Sequence, residues 1–338
     1  MCTVVLCRFQ IISFFLLLPS GDMTRQGVKT DSGTQWWRMI SESLLVCKSI
    51  DLEYKQLAVV AASQHGIVSA AESINDRVPK GTLVALKKVD ASIIGEFPPR
   101  VRRAQIAAVL YEIRVLRKLS LSKHQNIVQF LEVVVDSLGN VFIVMEKADM
   151  DLLELINRRG RLSEREACRI MKQIVSGVAH LHSLGMIHLD LSLENCLVFQ
   201  NQSIVKICDF GHVGEVISKT VSSSRGPWNQ GKILYTAPEH FYSSHAPSVL
   251  TDSYSLGIIL FVLLFGRLPY VVASSCSPEF MALSYGDVEE FLNIVSESEV
   301  YSNLSKPVLN LLRRTLCGSS NRLPPQDILV HPWFLIHN

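Results

Sequence analysis

The sequence predicts an α+β chain built as two unlike lobes that meet near residues 146–150. Short β-type runs dominate residues 51–145, one amphipathic helix interrupts them, and helical patterning takes over after Ala148. The composition supports packed cores: 48% of residues are hydrophobic, 19% are charged and the mean hydropathy is +0.24. A wholly disordered chain is excluded on that ground. At 338 residues the chain holds one large or two modest domains.

Residues 1–50 show no clear period and read as an extension. Within it, Arg8 precedes a short apolar run from Ile11 to Leu18, followed by Pro19-Ser20-Gly21. That pattern fits a targeting segment or short anchor, or an apolar extension that packs on the body. The run is too short to span a bilayer, which needs about 20 apolar residues. Membrane contact is therefore expected only through residues 1–20. In the first lobe, 51–148, the strand runs are Leu57–Val60, Leu83–Leu86, Leu131–Val135 and Val141–Met145. Between them, Ile106, Val109, Leu110, Ile113 and Leu116 recur at helical spacing over 101–119, after the start signal Pro98-Pro99.

The second lobe, 149–338, opens its main helix with Ser163-Glu164-Arg165-Glu166, a capping box, and an amphipathic run continues to His182. Further helices are expected at 252–265, 286–296 and 305–316. Lys and Arg number 33 against 31 Asp and Glu, a net charge of +2, so binding of nucleic acid through bulk charge is not expected. The 8 Cys show neither paired nor zinc-type spacing. They read as reduced, mostly buried thiols of a reducing, cytoplasmic compartment.

Chemistry concentrates in four motifs in fixed order. Val84-Ala85-Leu86-Lys87 comes first, then His188-Leu189-Asp190-Leu191-Ser192-Leu193-Glu194-Asn195, Asp209-Phe210-Gly211 and Ala237-Pro238-Glu239. Each is weak alone, and chance agreement of all four is negligible. The chain resembles the eukaryotic protein kinase superfamily over about residues 55–336. The resemblance implies a bilobal protein kinase fold, a small antiparallel sheet with one helix and a larger, mainly helical lobe. It implies ATP and Mg²⁺ as cofactors and a protein substrate. His331-Pro332-Trp333-Phe334 is similar to the domain end of calcium/calmodulin-dependent-like Ser/Thr kinases. The chain stops soon after it, so no C-terminal regulatory segment is expected.

The resemblance assigns roles residue by residue. Lys87 would hold the α/β-phosphates, and Glu112 on the helix 101–119 would pair with it; the alternative for Glu112 is a solvated helix-face carboxylate. Asp190 would orient the substrate hydroxyl and take its proton. Asn195 and Asp209 offer the oxygen ligands that Mg²⁺ prefers. Val60, Ala61, Ser63 and Gly66 would form the phosphate loop. Val68, Ala85 and Leu197 would enclose the adenine, beside Met145. The Glu146 carbonyl and Ala148 amide would read its edge. Asp151 fits a ribose contact or a helix cap. Leu116, His188 and Phe210 would stack as an apolar column, Asp252 would be the buried aspartate of a core helix, and Arg322 would pair with Glu239.

The sequence departs from the family at four places. The phosphate loop, Ala61-Ala62-Ser63-Gln64-His65-Gly66-Ile67-Val68, keeps the last of three glycines. Glycine lets backbone amides approach phosphate closely, so cover of ATP should be looser. Leu189 stands where an arginine usually binds a phosphorylated activation loop through paired N–H donors. Thr220, Ser222, Ser223 and Ser224 in that loop thus lack this anchor. Ser192 replaces the lysine that neutralises the γ-phosphate, and Lys232 replaces a threonine that normally touches the same site. A cation lost at 192 and gained at 232 reads as relocation of the charge; the alternative is a solvated lysine. Glu194 could attract a basic substrate residue or be a solvated carboxylate. The intact set Lys87, Glu112, Asp190, Asn195 and Asp209 favours an active Ser/Thr kinase. The alternative is a pseudokinase acting as an ATP-binding or scaffold module. The oligomeric state is left open.

Overall fold

The computed structural model describes residues 45–47, 49–63, 66–217, 220–222, 232–242, 247–296 and 299–336. The apolar N-terminal run and Ser223 and Ser224 lie outside the described residues. Strands β1 (Leu45–Val46), β2 (Tyr54–Ser63), β3 (Gly66–Ser73), β4 (Leu83–Val89), β5 (Phe130–Val135) and β6 (Val141–Glu146) form one sheet. Its order is β1-β5-β6-β4-β3-β2. The β2–β3, β3–β4 and β4–β6 pairs are antiparallel, and the short β1 runs parallel to β5.

Alternation along β4 divides the sheet into two faces. Val84 and Leu86 enter an apolar core with Tyr54, Ala71, Phe142 and Val144. Ala85 and Lys87 therefore stand on the opposite face. Register puts Lys87 across from Val68 and Ile143, and Ala85 across from Ala70 and Met145. The sequence runs located β2, β4, β5 and β6 but not β3. Its Gly, Ser and Ala content gives it little intrinsic strand preference, and pairing on both sides creates it.

Gly66 has a packing reason to be glycine. A Cβ built there would stand 2.4 Å from the carbonyl oxygen of Lys88. That is the backbone of β4, which cannot rotate away as a side chain would. Gly66→Ala should cost about 1–3 kcal/mol through overpacking. Thermal denaturation is expected to show a melting point lower by several degrees. A melting point equal to wild type would remove this explanation of the glycine.

The first compact unit runs to Arg102 and takes in Leu131–Lys147; the second comprises Arg103–Phe130 and the chain from Ala148 onward. The sequence division at 148 gave the whole long helix, Pro99–Leu121, to the first lobe. From Arg103 it groups with the second unit instead. Lys118 Nζ donates to Leu184 O at 3.3 Å, Val128 N to Ile207 O at 2.9 Å, and Asn126 Nδ2 to Val205 O at 2.8 Å.

In the second unit the helix Glu164–Ser183 starts at the expected capping box. Ser163 and Glu166 satisfy each other's backbone N–H. Its buried face, Ala167, Ile170, Met171, Ile174, Val178 and Leu181, follows helical spacing. The helix Val249–Phe265 is buried almost all round, which is why its sequence is nearly uniformly apolar. Helices Val288–Ser296 and Lys306–Leu316 occupy the expected stretches. Sequence patterning missed the short helices Ala91–Glu96, Leu152–Arg159 and Pro278–Ser284. Each is too brief to repeat an apolar period.

Short strands frame the motifs. β7 (Met150–Asp151), β9 (Cys196–Phe199) and β10 (Ile204–Ile207) make one sheet, and β8 (Met186–Ile187), β11 (Gly214–Ile217) and β12 (Thr220–Ser222) another. Six cysteines are described and all are free; Cys168 and Cys196 are buried, Cys276 is exposed, and the rest are half-buried. The thiols are thus less uniformly buried than the sequence suggested. Among the described residues no helix is long and apolar enough to cross a membrane.

Candidate active site

In the first unit, Val68, Ala85 and Lys87 share the sheet face opposite the core, together with Met145. Ala61 pairs with Val68, and Val60 falls at a register shift between Val59 and Ala61. Val60 and Ala61 are exposed, and Ser63 pairs with Gly66 at the end of the β2–β3 ladder. Glu146 ends β6 opposite Val84, and Ala148 opens the second unit.

In the second unit, residues 188–195 connect β8 to β9. Leu189 has φ 65°, the left-handed region that a side chain of this size rarely adopts. Such a residue costs roughly 1–2 kcal/mol and needs a local anchor. Asp252, fully buried on the helix Val249–Phe265, supplies it. Its Oδ2 accepts from His188 N at 2.8 Å and its Oδ1 from Leu189 N at 2.9 Å. His182 Nε2 lies 2.7 Å from Asp252 Oδ2. Burial pushes the Asp252 carboxyl up, but the bonds and charges of His182 and His188 together outweigh it and leave the group below its ordinary value. The His188 ring lies 5.5 Å from the buried Phe210 ring, and Leu116 is also buried.

This anchored loop presents Asp190. Asn195 Nδ2 donates to Asp190 O at 2.7 Å and to Asp190 Oδ2 at 2.9 Å. Lys232 N donates to Asp190 Oδ1 at 3.0 Å. Both carboxylate oxygens are therefore fixed by N–H donors. Burial, then the charge of Asp209, pushes the Asp190 carboxyl up to about 6, against the opposing pull of Lys232. Asp209 itself is exposed and takes φ 61°, a conformation Asp tolerates better than most residues.

The residues present fit a magnesium ion. Asn195 uses its NH₂ group on Asp190, so its carbonyl oxygen is turned to a different use. Asp209 and Asp190 lie close enough to repel, a charge excess that a divalent cation would offset. Among the described residues no cluster of three or more His, Cys, Asp or Glu side chains forms a metal cage. Mg²⁺ suits such a sparse set, because it keeps waters and takes phosphate oxygens as ligands.

Lys232 reaches back into the loop. Its Nζ donates to Ser192 Oγ at 2.8 Å and lies 3.0 Å from Glu194 Oε1. Its head group therefore has two partners on the loop, although the side chain stays partly open to water. Downstream, Arg322 Nη1 and Nη2 bind Glu239 Oε1 and Oε2 at 2.7 and 3.1 Å, a bidentate pair that ties down the Ala237-Pro238-Glu239 segment.

The chain matches the family described as Protein kinase domain over residues 68–334. The chain belongs to the protein kinase family. It is 32% identical over 216 residues to Serine/threonine-protein kinase SAPK9 of Oryza sativa subsp. japonica, covering 63% of this chain and 57% of that protein. It is 31% identical over 215 residues to Serine/threonine-protein kinase SRK2F of Arabidopsis thaliana, covering 63% and 59%. Testis-specific serine/threonine-protein kinase 5 of Mus musculus shares 31% over 267 residues, covering 77% and 65%. The match thus spans less than two thirds of each of these kinases.

Within this kinase domain the structure brings Asp190, Asn195, Ser192, Glu194 and Lys232 into direct contact. Asp151 caps the helix Leu152–Arg159, accepting from Glu154 N at 2.7 Å. Leu197 sits on β9 opposite Asp151. Glu112 is 5% exposed, which excludes the solvated alternative for it. Sequence reasoning missed His212, whose Nδ1 lies 3.9 Å from Asp190 Oδ2. Its position directly after Asp209-Phe210-Gly211 was the available signal.

Proposed function

We propose that this chain is a Ser/Thr protein kinase that transfers the γ-phosphoryl group of ATP to hydroxyls of protein substrates. The observation that carries the reading is Asp190, held at both carboxylate oxygens on a loop pinned by Asp252. Phosphoryl transfer needs positioning and charge more than covalent help, and a fixed carboxylate beside two oxygen ligands supplies both. The names of the kinases reported above support the Ser/Thr assignment.

Asp190 orients the attacking hydroxyl and takes its proton. Asn195 and Asp209 would hold Mg²⁺, which would neutralise phosphate charge. Lys87 holds the α/β-phosphates, and Glu112 is a buried carboxylate of the second unit. Val60, Ala61, Ser63 and Gly66 cover the phosphates; Val68 and Ala85 offer an apolar surface for the adenine in the first unit, and Leu197 offers one in the second. Glu146 O and Ala148 N read its edge, and the Asp151 carboxylate takes the ribose beside its capping bond. Lys232 supplies the cation for the γ-phosphate that Ser192 lacks. The spacing of the 8 cysteines supports a cytoplasmic site of action.

The test is a Mg-ATP assay of the purified full chain with generic basic protein substrates, compared with Asp190→Asn. Transfer by wild type and a loss of about 10²–10⁴-fold in the variant are expected. Equal rates from both proteins, or none from wild type, would refute the assignment.

A further inference from the structure

The contacts of Lys232 divide the work on its ammonium between two loop residues. An ammonium has three N–H donors. One points to Ser192 Oγ at 2.8 Å and one to Glu194 Oε1 at 3.0 Å, which leaves one for a third acceptor. Ser192 is fully buried and belongs to the pinned loop, so it marks a fixed point. A hydroxyl alone holds a lysine weakly. The four-carbon stem loses about 2 kcal/mol of rotamer freedom when fixed. The Lys232 side chain is 37% exposed, so water competes for its head group.

Glu194 supplies the second anchor. Its other oxygen, Oε2, is buried and has no hydrogen bond among the described residues, so Lys232 is what holds this carboxylate. The Asp151 carboxyl is within reach of both charges. It is pushed up first by burial and also by Glu194, and pulled down by Lys232. The cation therefore balances acidic groups from two elements.

We infer that Glu194 is a positioning residue that holds the Lys232 ammonium over the catalytic loop, and is not a reader of a basic side chain on the substrate. This rests on the reading of Lys232 as the γ-phosphate cation. A carboxylate oxygen already engaged by an ammonium offers little to a second one. Substrate choice should then be indifferent to a basic residue near the phosphoacceptor.

The test uses the full chain with Glu194→Gln, Glu194→Asp, Lys232→Thr and the Glu194→Gln/Lys232→Thr pair. Two peptides are compared, identical except for one basic residue before the phosphoacceptor. Glu194→Gln should lower kcat about tenfold with KM for ATP and for both peptides changed less than about twofold. Glu194→Asp should recover part of the loss, and the Gln substitution should be silent beside Lys232→Thr. A rise in KM confined to the basic peptide, independent of Lys232, overturns the inference. A second readout does not need activity. Acetylation of Lys232 by acetic anhydride, followed by mass spectrometry, is scaled to Lys80, whose side chain is 66% exposed. Glu194→Gln should speed labelling of Lys232 about fivefold. An unchanged labelling rate overturns the placement, whether or not wild type transfers phosphate. Faster labelling in a chain that transfers none would support the contact and refute the kinase reading instead.

Discussion

Lys87→Met and Asp209→Ala are each expected to reduce phosphoryl transfer by about 10³-fold or more, close to 4 kcal/mol of barrier. Neither should unfold the chain. Lys87 stands on the sheet face away from the core of Val84, Leu86 and Val144, and Asp209 is exposed. Methionine keeps the length and apolar stem of lysine and removes only its charge. Alanine at 209 removes a carboxylate that repels Asp190, so it should if anything relax the loop. Rates with Mg-ATP and melting curves are measured on the same preparations. Wild-type activity in either variant, at an unchanged melting point, would remove that residue from the phosphate or metal role.

The parts of the site legible in the sequence were those where chemistry fixes residue type. Asp190, Asn195 and Asp209 announce themselves because few side chains bind a hard cation or accept a proton. Strands such as β4 were legible because one buried face enforces alternation. The rest depended on partners distant in the chain. Gly66 suggested phosphate approach, and its close packing on the backbone of Lys88 is a second demand that no local pattern shows. Leu189 looked like a lost arginine and nothing more; its left-handed backbone and its anchor on Asp252 are tertiary facts. Lys118, Asn126 and Val128 bind Arg103–Phe130 to the second unit through bonds that no local pattern encodes. Asp151 offered a cap by residue type, and only geometry supplied its partner, Glu154 N.

Lys232→Thr is expected to lower kcat about 10²-fold or more with little change in KM for ATP. The sequence suggested that a cation lost at Ser192 reappears at Lys232, and the 2.8 Å bond between the two side chains places them at one site. Groups this close cannot be substituted independently. Ser192→Lys should partly rescue the Lys232→Thr enzyme, because it returns an ammonium to the loop beside Glu194. In the wild-type background the same change should be neutral or harmful. Two ammonium groups would then stand side by side, one of them starting from a fully buried position, and each disfavours the charge of the other. Melting curves of the four proteins separate misfolding from lost chemistry. Only variants that fold enter the double-mutant cycle. If Ser192→Lys does not fold beside Lys232, Ser192→Ala in both backgrounds completes the cycle. Coupling above about 1 kcal/mol supports a shared role at the γ-phosphate. Coupling below about 0.5 kcal/mol would end the relocation hypothesis and leave Lys232 as a tether of its own segment.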